Sequence, residues 1–162
     1  MEATYFTSVI ASVAGANKRH LTIWNGAGSG KTLKLYKIVA TGWPTAAVTG
    51  QVVALYSARI TTQPTVGTTR TILQASNADA AAPAQVAAMA APTNAPTEEA
   101  QIFGLGTVSG EETASAIRCP IYEFSIDGLR PIECVQGQGV IVKQGALAAA
   151  GAVTVSVLFS LV

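Results

Sequence analysis

The stretch Asn25–Thr32, Asn-Gly-Ala-Gly-Ser-Gly-Lys-Thr, carries the residue types of a nucleotide-phosphate loop. Glycines let backbone amides crowd an anion, a lysine reaches its charge, and a hydroxyl serves a bound metal ion. The spacing does not fit. With Gly30-Lys31-Thr32 as the end of the motif, its first glycine belongs at position 25, which is Asn25, and Gly26 is one residue too close. The chemistry also needs a helix after the loop, whose N-terminal amides complete the anion site. Here Leu33 and Leu35 alternate with Lys34 and Tyr36, the period of a strand, and no run of four apolar residues ends in Asp or Glu to hold the metal. Gly26–Thr32 therefore reads as a glycine-rich connection between two strands, and nucleotide binding through it is a distant alternative.

Other residues capable of chemistry are isolated. His20 is the only histidine and stands beside Lys18-Arg19, which suggests a solvated strand edge. The acidic pairs Glu98-Glu99 and Glu111-Glu112 read as exposed loop charges, since carboxylates adjacent in sequence do not face each other across a substrate. Cys119 and Cys134 lack zinc spacing and suggest buried thiols, with a disulfide as the other possibility. Trp24 and Trp43 fit a core or an interface better than a ligand platform. A sugar site at Trp43 or Tyr56 would rest on fold analogy alone. No catalytic residue, cofactor site or metal site is expected.

The elements that position these residues are strands. The chain has 162 residues, enough for one domain with a real core. Half of it is apolar (49%) but only 12% is charged, so its surface is built from Ala, Ser, Thr, Gln and Gly. A surface this weakly charged favours packing against itself or a partner. Net charge is +1 with no basic stripe, so nucleic acid is not an expected partner. No stretch of about 18 apolar residues is present, so no membrane span is expected. The opening segment is apolar and ends in small residues, but Glu2 and the interruptions at Thr7, Ser8 and Ser12 speak against a signal peptide.

Two-residue alternation recurs from His20–Asn25 to the end. The clearest case is Val153, Val155, Val157, Phe159 and Leu161, set against Thr154, Ser156 and Ser160. After Leu33 and Leu35 the pattern shifts at Ile38-Val39, as at a bulge or a strand buried on both faces. Asp127-Gly128 signals a tight turn. Residues 77–100 are alanine-rich with Pro83, Pro92 and Pro96, which predicts a short extended or irregular excursion over the surface, with room for a helical turn near Ala84–Ala91. About eight short strands with Gly/Pro turns and no βαβ alternation predict an all-β antiparallel sandwich or barrel. The domain is expected over 20–162, with 1–19 as an N-terminal arm or a first strand.

Three stretches together resemble the small jelly-roll virion proteins of tailed bacteriophages. They are HLTIWNGAGSGKTLKLYKI, the Ala/Pro-rich 76–96, and RPIECVQGQGVIVKQGALAAAGAVTVSVLFSLV. The resemblance implies a jelly-roll sandwich and a capsid decoration, or cement, protein. Such a protein binds the outside of the major capsid shell, stabilises it, and is homo-oligomeric, with a trimer favoured. It would be made in the host cytoplasm and reside in the virion. Tyr5, Phe6 and Val9, on the candidate arm, and Trp43 are then the candidate partner contacts. The alternatives are a head fibre, a tail component or a secreted adhesin-like domain.

Overall fold

The structure, a computed structural model, describes residues 3–42, 51–110, 121–125, 130–146 and 151–162. Two six-stranded antiparallel sheets pack face to face. Sheet A holds β1 (Thr4–Val13), β3 (Leu33–Gly42), β6 (Leu73–Gln74), β9 (Ile121–Ser125), β10 (Ile132–Cys134) and β12 (Ala152–Leu161). Its order is β10-β3-β12-β1-β6, with β9 also paired to β3. Sheet B holds β2 (Arg19–Asn25), β4 (Gln51–Ile60), β5 (Thr68–Arg70), β7 (Val86–Ala90), β8 (Glu98–Gly110) and β11 (Gln138–Gln144), in the order β5-β7-β2-β11-β4-β8. Among the described residues no helix is long and apolar enough to cross a membrane.

The connectivity is that of a ribbon folded back on itself and then wound. Going out, the chain lays down β1, β2, β3 and β4. Coming back, it pairs β8 with β4, β9 and β10 with β3, β11 with β2, and β12 with β1. Winding then brings β12 against β3 and β11 against β4. This nested pairing across two sheets is a jelly-roll sandwich. β5, β6 and β7 are additions between β4 and β8 that extend the β1 and β2 edges.

Alternation decides what fills the middle. Val153, Val155, Val157, Phe159 and Leu161 of β12 all point inward, against Leu33, Leu35 and Ile38 of β3 and the inward residues of sheet B. Phe159 is fully buried, and its ring stacks on Tyr5 of β1 at 5.7 Å between centroids. Burial of a side chain this size contributes about 2–3 kcal/mol.

In sheet A two bulges reset the alternation. In β3, Leu158 pairs with Lys37 and Phe159 with Leu35, so Tyr36 is an extra residue and both Leu35 and Ile38 face the core. That is the physical source of the pattern shift near Ile38. In β1, Ile10 and Ala11 together oppose Thr154 of β12, and Ala11 takes a left-handed backbone (φ 53°). As a result Ser12 turns inward and Val13 outward.

Of the two readings of the N-terminal segment, arm or first strand, Thr4–Val13 takes the second: it is a strand held between β12 and β6. Within residues 77–100 the chain is extended at Val86–Ala90, which is strand β7 on the edge of β2, and no helical turn forms there. Alanine's helix preference loses here to pairing: small side chains suit the sites opposite Ile23 and Trp24, where Ala88 and Ala87 stand. Trp24 has Gly139 on its other side, so the indole lies between two minimal neighbours.

The outward face of sheet B is also covered. Trp24, Ala58, Ile60 and Ile141 form a second buried cluster there. Segments 61–67 and 91–97 are tied to one another by Thr61 N donating to Thr97 O (3.0 Å) and Thr93 N to Val66 O (2.9 Å). Arg19 of β2 donates to Thr93 O (3.3 Å), which fixes 91–97 over this face.

Candidate functional site

The loop between β2 and β3 is organised around one buried side chain, Asn25. Its Nδ2 donates to the carbonyls of Lys31 (2.8 Å) and Cys134 (3.1 Å), and its Oδ1 accepts from Ser29 Oγ (2.7 Å). The loop amides are engaged elsewhere. Gly26 N donates to Gln85 O, Gly28 N to Gln136 Oε1, Lys31 N to Ser29 Oγ, and Thr32 N to Val162 O. A phosphate cradle needs such amides converging on open space. The Lys31 side chain is exposed at the rim of a groove of about 480 Å³ floored by Tyr5, Pro83 and Leu161. Position 25, where the phosphate motif would have its glycine, instead holds the residue that fastens the loop.

The lone histidine is not a solvated edge. His20 is fully buried, and its Nδ1 lies 2.9 Å from Ser12 Oγ. Burial lowers its pKa to about 4, opposed in part by the side chain of Gln144 and reinforced by Lys18. The ring is therefore neutral at pH 7, with no route to solvent. The two adjacent charges beside it in sequence misled the expectation, because Arg19 reaches outward while His20 points in.

Glu98 and Glu99 are not loose loop charges either. Glu98 opens β8 and pairs with Lys143 at 2.7 Å, while Glu99 pairs with Arg59 at 3.1 Å. Burial pushes the Glu98 carboxyl up and the Lys143 ammonium down, and Arg19 opposes the first effect and adds to the second. Lys143 also lies 5.1 Å from the centre of the Tyr56 ring. Cys134 carries a free thiol that is buried, and burial pushes its pKa up, which keeps it unreactive. Among the described residues no group of His, Cys, Asp and Glu is arranged to hold a metal ion.

Among the described residues, several exposed apolar side chains gather on the outward face of sheet A. Leu73 of β6, Phe6 of β1 and Leu158 of β12 stand side by side in direct register. Phe6 and Leu73 are 40% and 47% exposed, and Leu158 is half-buried. Further along β1, Ile10 is 60% exposed, and beyond the bulge Val13 is 68% exposed. The next row of the face is Ser8, Ser156 and Val39. Its outward residues on β1, β6 and β12 carry no charge, and the lysines of the face, Lys34 and Lys37, sit on β3. Such a surface offers apolar contact and hydroxyl hydrogen bonds.

The expected contacts separate on this geometry. Phe6 is on the face. Tyr5 and Val9 are core residues, each only 3% exposed, because odd-numbered positions of β1 point inward before the bulge. The Tyr5 hydroxyl donates to Ala80 O at 2.9 Å. Trp43, Cys119, Glu111-Glu112 and Asp127-Gly128 lie outside the described residues. The residue missed in the sequence is Leu158, whose signal was its place as the apolar member of a hydroxyl-bearing strand face. Compared with known proteins, the chain matches no family model, no curated protein and no solved structure.

Proposed function

We propose that this chain is a non-enzymatic structural protein of a tailed-bacteriophage virion, one that decorates the outside of the major capsid shell as a homo-oligomer. The observation that carries the reading is the outward face of sheet A, where exposed Phe6, Leu73 and Ile10 lie in uncharged surroundings. A rigid sandwich offering such a face is suited to holding other protein surfaces together. The jelly-roll connectivity supports the same reading by agreeing with the resemblance of the three sequence stretches to virion proteins.

The direct test is reconstitution on shells of the parent particle from which this protein has been removed. The expected result is saturable binding, with cryo-EM density for the sandwich on the exterior. Absence of the chain from intact heads would overturn the proposal.

A further inference from the structure

We infer that the side of the sandwich closed by residues 71–85 receives an extended acidic peptide segment of a partner protein, with a carboxylate seated on Arg70. This site is separate from the outward face of sheet A and does not depend on the virion reading.

Arg70 lacks what its surroundings demand. It ends β5 directly opposite Ala88 of β7, which is buried, so its side chain leaves from the inner side of sheet B at the sheet's edge. The residue is half-buried, and its Nε is shut off from water with no acceptor. Arg19 donates to Thr93 O and Arg59 pairs with Glu99, but among the described residues Arg70 has no partner. Withdrawing a guanidinium from water without an acceptor is costly. Its fork of N–H groups fits a carboxylate, which takes two parallel hydrogen bonds.

The space beside it is shaped and apolar. Arg70 lines a hollow of about 290 Å³ together with Ile72, Pro83 and Val86. The groove of about 480 Å³ floored by Tyr5, Pro83 and Leu161, with Lys31 at its rim, adjoins it, since Ala81 and Pro83 line both. Each hollow thus carries one cation, and Lys31 too has no anionic partner among the described residues. Asp79, at the start of this segment, is already engaged, its Oδ2 accepting from Thr4 N at 3.3 Å. The complement of such a surface is acidic groups spaced by aliphatic ones.

The backbone between the hollows selects an extended occupant. Residues 80–83 form neither helix nor turn, and Ala82 precedes Pro83, which holds it to extended geometry. Ala80 O is occupied by the Tyr5 hydroxyl, so in extended backbone the N–H and C=O of Ala81 point the opposite way. Ala81 is exposed, and among the described residues neither group has a partner. A residue of an incoming strand can exchange two hydrogen bonds with Ala81 while side chains on either side of it enter the hollows.

Selection of a random decapeptide library on the immobilised full chain tests the inference, followed by titration of the selected peptides into isotope-labelled protein. The expected peptides are enriched in Asp or Glu at a fixed position with aliphatic residues nearby. They should shift the amide of Ala81 and the Nε–H of Arg70. Arg70→Gln should weaken them about tenfold or more, and Arg70→Lys less, because it keeps the charge and loses the fork. Arg130→Gln, which removes an exposed arginine elsewhere, should leave them unaffected. Far-UV dichroism checks that each variant is folded, and if Arg70→Gln is not, the amide shifts of the parent protein decide. No binders, binders without acidic residues, or shifts confined to other surfaces would overturn the inference. Inorganic phosphate that shifts Arg70 where no peptide does would overturn the peptide assignment in favour of a small anion.

Discussion

The hydroxyl of Ser12 lies 2.9 Å from Nδ1 of His20, with both side chains closed off from solvent. In composition this is the nucleophile and base of a hydrolase. In position it is a fastening between β1 and β2. The contact exists because the bulge at Ile10 and Ala11 turns Ser12 into the sandwich, and it is bounded by Gln144, whose Oε1 accepts from Gly15 N at 3.0 Å.

Burial of His20 makes the fold sensitive to acid. Its pKa of about 4 in the folded chain lies below the ordinary 6.5, so the unfolded chain takes up the proton first as pH falls. The contribution of His20 is therefore intact above about pH 6.5 and is lost progressively between there and about pH 4, to a total of about 3 kcal/mol. Urea melts across this window should show the loss, and His20→Gln should flatten it.

Asn25 and Lys31 should behave in opposite ways to the phosphate reading. Asn25→Ala removes the bonds to the Lys31 and Cys134 carbonyls and the acceptor of the Ser29 hydroxyl's shortest bond, at a cost of about 2–3 kcal/mol in chemical denaturation. Lys31→Ala removes an exposed side chain and should change stability by less than about 0.5 kcal/mol.

Gly139 is required by close approach. A Cβ there would stand 2.3 Å from the Ile23 carbonyl oxygen and 3.0 Å from the Trp24 ring, against backbone that cannot yield. Gly139→Ala should cost about 3 kcal/mol or more, or prevent folding, in thermal melts. Gly30→Ala meets open space but a left-handed backbone (φ 66°), and should cost about 1 kcal/mol.

Tyr5 separates a core role from a contact role. Tyr5→Phe keeps the stack on Phe159 and removes the hydroxyl's bond to Ala80, for a loss of about 1 kcal/mol. Tyr5→Ala opens a cavity and should cost about 3–5 kcal/mol. If Tyr5→Ala instead left the melt unchanged, the inward orientation of β1 would be wrong.

The strands of the core could be read from the chain because period-two alternation depends only on each residue's own polarity. β12 and the start of β3 are the clearest examples. What could not be read was which outward faces acquire a cover. Thr22 and Trp24 lie on the outward face of β2 and are nonetheless buried, and no local pattern announces that. Bulges were legible where they disturbed an apolar run, as near Ile38, but not at Ala11, where a small residue hides the shift that buries Ser12 and exposes Val13. That Tyr5 and Val9 point into the core while Phe6 points outward could not be read from β1 alone, because the strand is apolar on both faces and only its partners decide its inner side. Alanines at 87, 88 and 90 carried a helix preference that the space beside Trp24 and Ile23 overrode.

The nested pairing also sets an order in time. β12 lies between β1 and β3, and those two strands do not touch each other in sheet A. A ribosome delivers β1 and β3 long before the strand that joins them, so half of the sandwich cannot assemble while the chain is emerging. During that interval β1 presents apolar side chains on both faces and no charge to keep neighbouring nascent chains apart. Closure through such distant partners is slow, in the range of milliseconds to seconds. The yield of this protein in a cell is therefore governed by how well the waiting chain is shielded, as much as by how stable the finished sandwich is.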